Sequence, residues 1–282
     1  MQTIDEYIDR VQSLPPAPAI LPELLALLAK DDVDADRIVK LILFDPGLTA
    51  SLLKTCNSAF FAGASPVGDI GEAVVRLGFK RVYQLVAATA GTKMLGPAQT
   101  GYGINAGELW EHSVTAAVAA QMMARDDDGD ENTVFTAALL HDVGKIVLTE
   151  ALEKSYAEVL ANSQPEEGSL VDTEKRLLGV HHGEVGGRLL ARWKFPENIV
   201  SAVTHHHQPA EAKGFEKFAA YVYLGNMVAY FMGFGYGHKA FALAGRDEAL
   251  DLVRMKPERL PGYMIKTFEQ LSTIQSLVKI KS

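Results

Sequence analysis

Apolar residues recur at spacings of three and four along most of the chain, with little of the strict alternation that marks a half-buried strand. Leu21, Leu24, Leu25, Leu27 and Leu28 form one such stripe, and Ile38, Leu41, Ile42, Leu52 and Leu53 continue it. This period predicts an all-α protein of short helices. Turn residues punctuate the pattern at Leu14-Pro15-Pro16-Ala17-Pro18, Asp45-Pro46-Gly47, Gly63 to Gly71, Gly96-Pro97 and Gly101 to Gly103. Each is a place where a helix stops or cannot start.

Several later helices have legible ends. Asn105 is placed to cap a helix with Glu108 answering three residues on, which sets His112 in its second turn. Asn132 is expected to cap a helix running through Phe135, Leu139 and Leu140 to a stop near Gly144, with His141 and Asp142 in its last turn. Gly179 ends another helix and His182 opens the next. Pro196 suits the first turn of a helix through Ile199, Val200 and Val203, ending with His206 and His207 before Pro209.

The 282 residues are 48% hydrophobic and 22% charged, enough to bury a substantial core in one large domain or two closely packed lobes. Net charge is −8, and no dense Lys/Arg stripe is present, which argues against nucleic acid as a direct partner. The single cysteine, Cys56, excludes an internal disulfide and a thiolate-built zinc site. Met1 to Arg10 lacks the plan of a signal peptide and no apolar run reaches membrane-spanning length, so a cytoplasmic protein without membrane contact is expected.

All eight histidines follow the glycine-rich stretch from Leu95 to Gly103. That asymmetry divides the chain into a helical lobe over 7–97, a histidine-bearing lobe over 98–210 and a helical extension over 211–282 that packs on the second lobe. The acidic group Asp31, Asp32, Asp34 and Asp36 reads as a solvent-facing helix start. Singly, each histidine is better explained as an ordinary core or surface residue. Collectively, His112, His141-Asp142, His182 and His206-His207, with Glu108 one turn from His112, suggest a metal centre assembled from several helices, in which the two carboxylate oxygens of Asp142 bridge two cations. His181 and His205 are taken as exposed neighbours, and His238 as a loop residue.

The segment Ala137-Ala138-Leu139-Leu140-His141-Asp142-Val143-Gly144-Lys145 resembles the hallmark of the HD phosphohydrolase superfamily, and its HDOD branch in particular. Leu14 to Pro18, Asp45-Pro46-Gly47-Leu48, Asn57-Ser58, Ala73 to Gly78 and Trp110-Glu111-His112-Ser113 are similar to that branch too. So are His182-Gly183-Glu184-Val185-Gly186, Trp193-Lys194-Phe195-Pro196 and His206-His207-Gln208-Pro209. The resemblance implies a multi-helical HD-like bundle with an N-terminal helical lobe, serving bacterial signal transduction through protein contacts. By likeness to the metal-dependent HD-GYP phosphodiesterases, it implies metal ligands at His112, His141, Asp142, His182, His206 and His207, Glu108 as an additional ligand, and Lys145 as a phosphate-stabilising cation.

Two departures weaken the enzymatic expectation. Asn226 stands where the superfamily ends its motif with an aspartate; its amide oxygen can still serve as an additional ligand to a hard cation, but the change removes a negative charge from the site. The Gly-Tyr-Pro loop is missing after His206-His207, and Gly235-Tyr236-Gly237 lies too far downstream to replace it. The expected function is a regulatory domain that binds a protein partner and holds one or two divalent ions, with Fe, Mn, Zn or Ni as candidates. The alternative is a metal-dependent phosphohydrolase of a nucleotide or phosphodiester, with Asp142 and Lys145 as its catalytic residues. Oligomeric state is not readable from the sequence.

Overall fold

The structure is a computed structural model that describes residues 3–11, 20–28, 33–43, 48–49, 52–53, 56–57, 67–151, 169–235 and 246–277. Leu14 to Pro18, Asp31, Asp32, Asp45 to Gly47, Ser58, Gly63 to Pro66, Tyr236, Gly237 and His238 lie outside the described residues. The rest is all-α. In the first half run α1 (Ile4–Arg10), α2 (Ile20–Leu28), α3 (Ala35–Leu43), α4 (Ile70–Leu77), α5 (Phe79–Leu95), α6 (Glu108–Arg125) and α7 (Glu131–Leu140). A helical segment over 143–151 follows. Then come α8 (Leu170–Leu178), α9 (His182–Arg192), α10 (Glu197–Thr204), α11 (Glu216–Phe231), α12 (Arg246–Leu252) and α13 (Leu260–Leu277).

The centre of the molecule is α6, in which every residue from Leu109 to Ala124 except Glu111 is buried. A helix buried on all sides has no polar stripe, which is why its alanines, valines and methionines show weak amphipathic periodicity. It packs against α7, α11 and α13. Gly225 permits the close approach of α11, because a Cβ there would lie 2.4 Å from the Ala116 carbonyl oxygen and 2.8 Å from the Ala120 Cβ. From α5, Tyr83 bonds the Thr136 hydroxyl on α7, and the Ala88 carbonyl accepts from the Trp110 indole of α6 at 3.2 Å. One hydrophobic cluster runs from Tyr7 to Leu271.

The helix ends correct two expectations. The N-cap of α6 is Gly107, at φ 89°, a left-handed conformation that glycine adopts without strain. Asn105 instead gives its backbone N–H and its side-chain amide to the Glu108 carboxylate, at 2.7 and 2.8 Å. The cap of α7 is Asp130, two positions before Asn132, and it accepts from the Thr133 N–H. Gly179 does end α8, at φ 79°, and His182 does open α9. In the first lobe Asn57 clamps Val67, donating to its carbonyl at 2.8 Å and accepting from its N–H at 2.7 Å. The N-terminal α1 lies on α9, with Asp5 and Asp9 paired to Arg188 and Arg192.

Candidate metal centre

Two of the histidines are set by the same local device. His141 is the C-cap of α7 and His206 lies two residues past the end of α10, so neither is inside the helical turn expected for it. The last carbonyls of a helix lack intrahelical donors. Each imidazole supplies one, donating from Nδ1 to the carbonyl three residues back, Ala138 for His141 and Val203 for His206, both at 2.7 Å. His112 does the same across the fold, its Nδ1 lying 2.7 Å from the Phe234 carbonyl beyond the end of α11. With the proton on Nδ1, the Nε2 lone pair is left to face the interior.

The chain turns sharply at His141-Asp142 and resumes as helix at 143. Gly144 allows this, since a Cβ there would lie 1.9 Å from the His182 carbonyl oxygen and 2.7 Å from the Gly186 nitrogen. The start of the 143–151 helix is thereby pressed against the start of α9. The motif glycine is a packing requirement between two ligand-bearing segments.

These placements bring all six expected ligands together. Asp142 Oδ2 lies 3.4 Å from His141 Nε2 and 3.8 Å from His112 Nε2, and Asp142 Oδ1 lies 3.3 Å from His182 Nε2. His182 and His207 meet Nε2 to Nε2 at 2.8 Å. The donors fall into two groups, His112 with His141 and Asp142, and His182 with His206 and His207, each with its ligand atoms within 4.8 Å of one another. Ligands bonded to one ion at about 2.1 Å in tetrahedral array are separated by roughly 3.4 Å, so the Asp142 contacts to His141 and His182 fit, whereas the His182–His207 contact is a hydrogen bond that an ion would have to open by about 0.6 Å. The Nε2 atoms of His141 and His206 are buried and have no hydrogen-bond partner among the described residues, as expected of groups oriented for a cation.

Other expected residues fall elsewhere. Both oxygens of Glu108 are engaged by Asn105, so Glu108 is a helix-start residue. Asn226 is buried and its Oδ1 has no hydrogen-bond partner among the described residues. It sits one turn before Tyr230, whose ring lies 4.9 Å from that of His112, so the two share a face of α11. Lys145 is 1% exposed, and its Nζ lies 2.7 Å from Asp142 Oδ2. His181 is not an exposed neighbour: it is 5% exposed and caps α9, Nδ1 accepting from the Gly183 N–H. His205 is partly exposed as the C-cap of α10.

Glu174 was not among the expected residues. It is fully buried on α8, where one oxygen accepts from both the backbone N–H and the Nδ1 of His182, at 2.8 and 2.7 Å. Its other oxygen accepts from the Tyr102 hydroxyl at 2.6 Å.

The electrostatics follow from this burial. Desolvation pushes His112 down to about 3, and it holds His141, His206 and His207 low as well. His182 is the exception: burial opposes its protonation most strongly, but the Glu174 charge and the hydrogen bonds to Asp142 and Glu174 together raise it. Burial works against ionised Asp142, yet His141, Lys145 and His182 together hold it well below the usual carboxylate range. Apart from His182, whose proton an incoming ion would have to displace, the imidazoles are held neutral around an ionised carboxylate, the protonation states that ligation requires.

His112, His141, Asp142, Lys145, His182 and His206 are each 1% exposed or less, and His207 is half-buried. The cavity touching His207 at the rim is lined also by Lys175, His181, Glu184 and Glu211 and has a volume of about 30 Å³. That is room for about two waters, far below the roughly 300 Å³ at which small-molecule pockets begin.

The profile of the HDOD domain matches residues 14–209. Among curated proteins, the chain is 28% identical over 231 residues to an uncharacterized protein of Treponema pallidum (strain Nichols), covering 79% of this chain and 44% of that one. It is 26% identical over 191 residues to Ribonuclease Y of Campylobacter curvus, covering 66% of this chain and 30% of that protein. The chain thus spans less than half the length of these relatives. Among solved structures, an HDOD domain protein of unknown function from Geobacter sulfurreducens superposes with a TM-score of 0.76 at 23% identity, covering 98% and 97% of the two chains. A proposed phosphohydrolase from Shewanella amazonensis SB2B gives 0.71 at 23%, covering 97% and 96%. At these identities the likeness is one of fold.

Proposed function

The chain belongs to the HDOD domain family, and from that premise we propose that it is a cytoplasmic signal-transduction module that acts by binding a protein partner, without turnover, around a buried centre holding a divalent cation. The observation that carries this is the closure of the centre. Asp142 and Lys145, the two residues an HD-type hydrolase would present to a phosphoryl group, are each 1% exposed and bonded to one another. A structural metal site is closed, whereas a catalytic one keeps a position open to substrate. Surface for a partner is available in the first lobe, where an apolar cleft of about 320 Å³ lies between α3 and α4, lined by Val39, Val74, Val75 and Phe79 with Asp36 at its edge. Val75 is 85% exposed beside it.

The alternative of a metal-dependent phosphohydrolase is favoured by the donor set, since five imidazoles and one carboxylate converge. The likeness to Ribonuclease Y of Campylobacter curvus and to the proposed phosphohydrolase from Shewanella amazonensis SB2B points the same way. In that case a bound cation would supply Lewis-acid activation. This chain's own residues would orient it through His182 and balance phosphoryl charge through Lys145.

The test combines metal content with turnover. Anaerobically purified protein is assayed for iron, manganese, zinc and nickel, then wild type and Asp142→Ala are compared on a generic phosphodiester. Bound metal with equal background rates is the expected result. A wild-type rate well above that of Asp142→Ala would establish the hydrolase instead.

A further inference from the structure

We propose that the centre takes one cation, held by His182, His206 and His207, and that the Lys145 ammonium fills the charge role of a second ion beside His112, His141 and Asp142. This rests on the metal-holding centre proposed above and fixes the number and place of its ion.

The two donor groups differ in what surrounds them. An ion bound by His112, His141 and Asp142 would draw on Asp142 Oδ2, the carboxylate oxygen nearest both imidazoles, at 3.4 Å from His141 Nε2 and 3.8 Å from His112 Nε2. That same oxygen carries Lys145 Nζ at 2.7 Å. Lys145 follows Asp142 by three residues in the first turn of the 143–151 helix, a spacing that brings the two side chains together. Both side chains are 2% exposed, so the ammonium is held where water cannot screen it. A divalent ion would meet two neutral imidazoles, a carboxylate already neutralised and an adjacent positive charge. Asn226, on the α11 face that approaches His112, adds no negative charge to offset that.

The second group has the opposite character. Its three donors are all imidazole nitrogens, and the oxygen of Asp142 that faces it is Oδ1, 3.3 Å from His182 Nε2 and not the oxygen bonded to Lys145. His182 also has a buried carboxylate behind it. Glu174 already accepts from Tyr102 and from the His182 backbone, so it fixes the Nδ1–H tautomer of His182 and directs Nε2 into the group. The other two hydrogen-bonded Nδ1 atoms on the Asp142 side, those of His112 and His141, rest on backbone carbonyls. A carboxylate partner strengthens an imidazole as a donor, and an all-nitrogen set suits zinc, nickel or ferrous iron better than magnesium or calcium. Glu174 and Tyr102 are therefore positioning residues for this ion.

The experiment is metal stoichiometry by elemental analysis after equilibration of the full chain with zinc and removal of loosely held ion. Wild type is expected to retain about one ion per chain, and Lys145→Met about two. His206→Ala should lose the ion while His112→Ala keeps it, a pair that decides the placement even if Lys145→Met fails to fold. Glu174→Gln should weaken the ion by about 10- to 100-fold, with Glu174→Asp recovering part of that, and the absorption spectrum of the cobalt-substituted protein should shift between them. Two ions in wild type, or retention by His206→Ala with loss in His112→Ala, would overturn the assignment while leaving a metal centre in place. No retained ion in wild type would overturn the metal-holding centre itself.

Discussion

His141 and His206 are aimed by carbonyls that any helix leaves open at its end, so the centre is built in part from the ordinary termini of α7 and α10. Gly144 is as local a requirement, and Gly144→Ala is expected to destabilise the fold by about 1–3 kcal/mol or more in denaturant unfolding, because its Cβ would meet the His182 carbonyl. Tyr102→Phe should cost about 1.5–3 kcal/mol, because it removes a hydrogen bond to a buried carboxylate. The convergence of the candidate ligands was legible because a His-Asp pair and repeated histidines are rare enough to stand out. Glu174 was not, since Asp172-Thr173-Glu174-Lys175-Arg176 reads as the solvated face of a helix until Tyr102 and His182 are folded over it. Lys145 was legible as a cation of the site, but its burial against Asp142 depends on packing that local sequence does not express.

At the level of elements, all-α periodicity predicted the helices well; glycine at 179 marked a true boundary, and proline at 196 did too, though as the N-cap one residue before the first turn expected for it. Capping by Asn105 and Asn132 did not hold. Aspartate and glycine nearby compete for the same role, and which one wins depends on how the loop enters the helix. The contact between α6 and α11 was invisible for the reason α6 is central: a fully buried helix has no face to read. Gly225→Val should force those helices apart, with loss of cooperative unfolding or a large fall in thermal midpoint as the measurement.

The attachment of α1 behaves differently. Asp5 is drawn down to about 2, first by its hydrogen bond to Arg188 and also by Arg192. A carboxylate lowered from 3.8 contributes docking strength above that value and loses it as pH falls toward about 2. Amide exchange in residues 4–10 should therefore accelerate in that window. High salt at neutral pH should loosen α1 only slightly, because Tyr7 and Ile8 remain buried.

Over the whole molecule, one hydrophobic cluster connects the first helices to the last, so occupation of the centre should be felt as global stability. On the assignment proposed above, the ligands for the ion come from the start of α9 and the turn after α10, segments that the unfolded chain does not hold together. Binding therefore favours the folded state, by about 2.7 kcal/mol at a free-ion concentration one hundred times the dissociation constant. Chelation of loaded protein should lower the thermal midpoint by several degrees, and readdition should restore it. The described helices include none long and apolar enough to cross a membrane.

On the function proposed above, this HDOD chain holds its cation in a closed centre. Anomalous scattering at the absorption edge of the bound metal, measured on crystals of the loaded protein, tests it most directly. A peak is predicted among the Nε2 atoms of His182, His206 and His207, with every coordination position taken by protein or by a water confined in the small cavity at His207. A metal with a coordination position opening onto a channel wide enough for a phosphoester, or no peak in the centre at all, would contradict it.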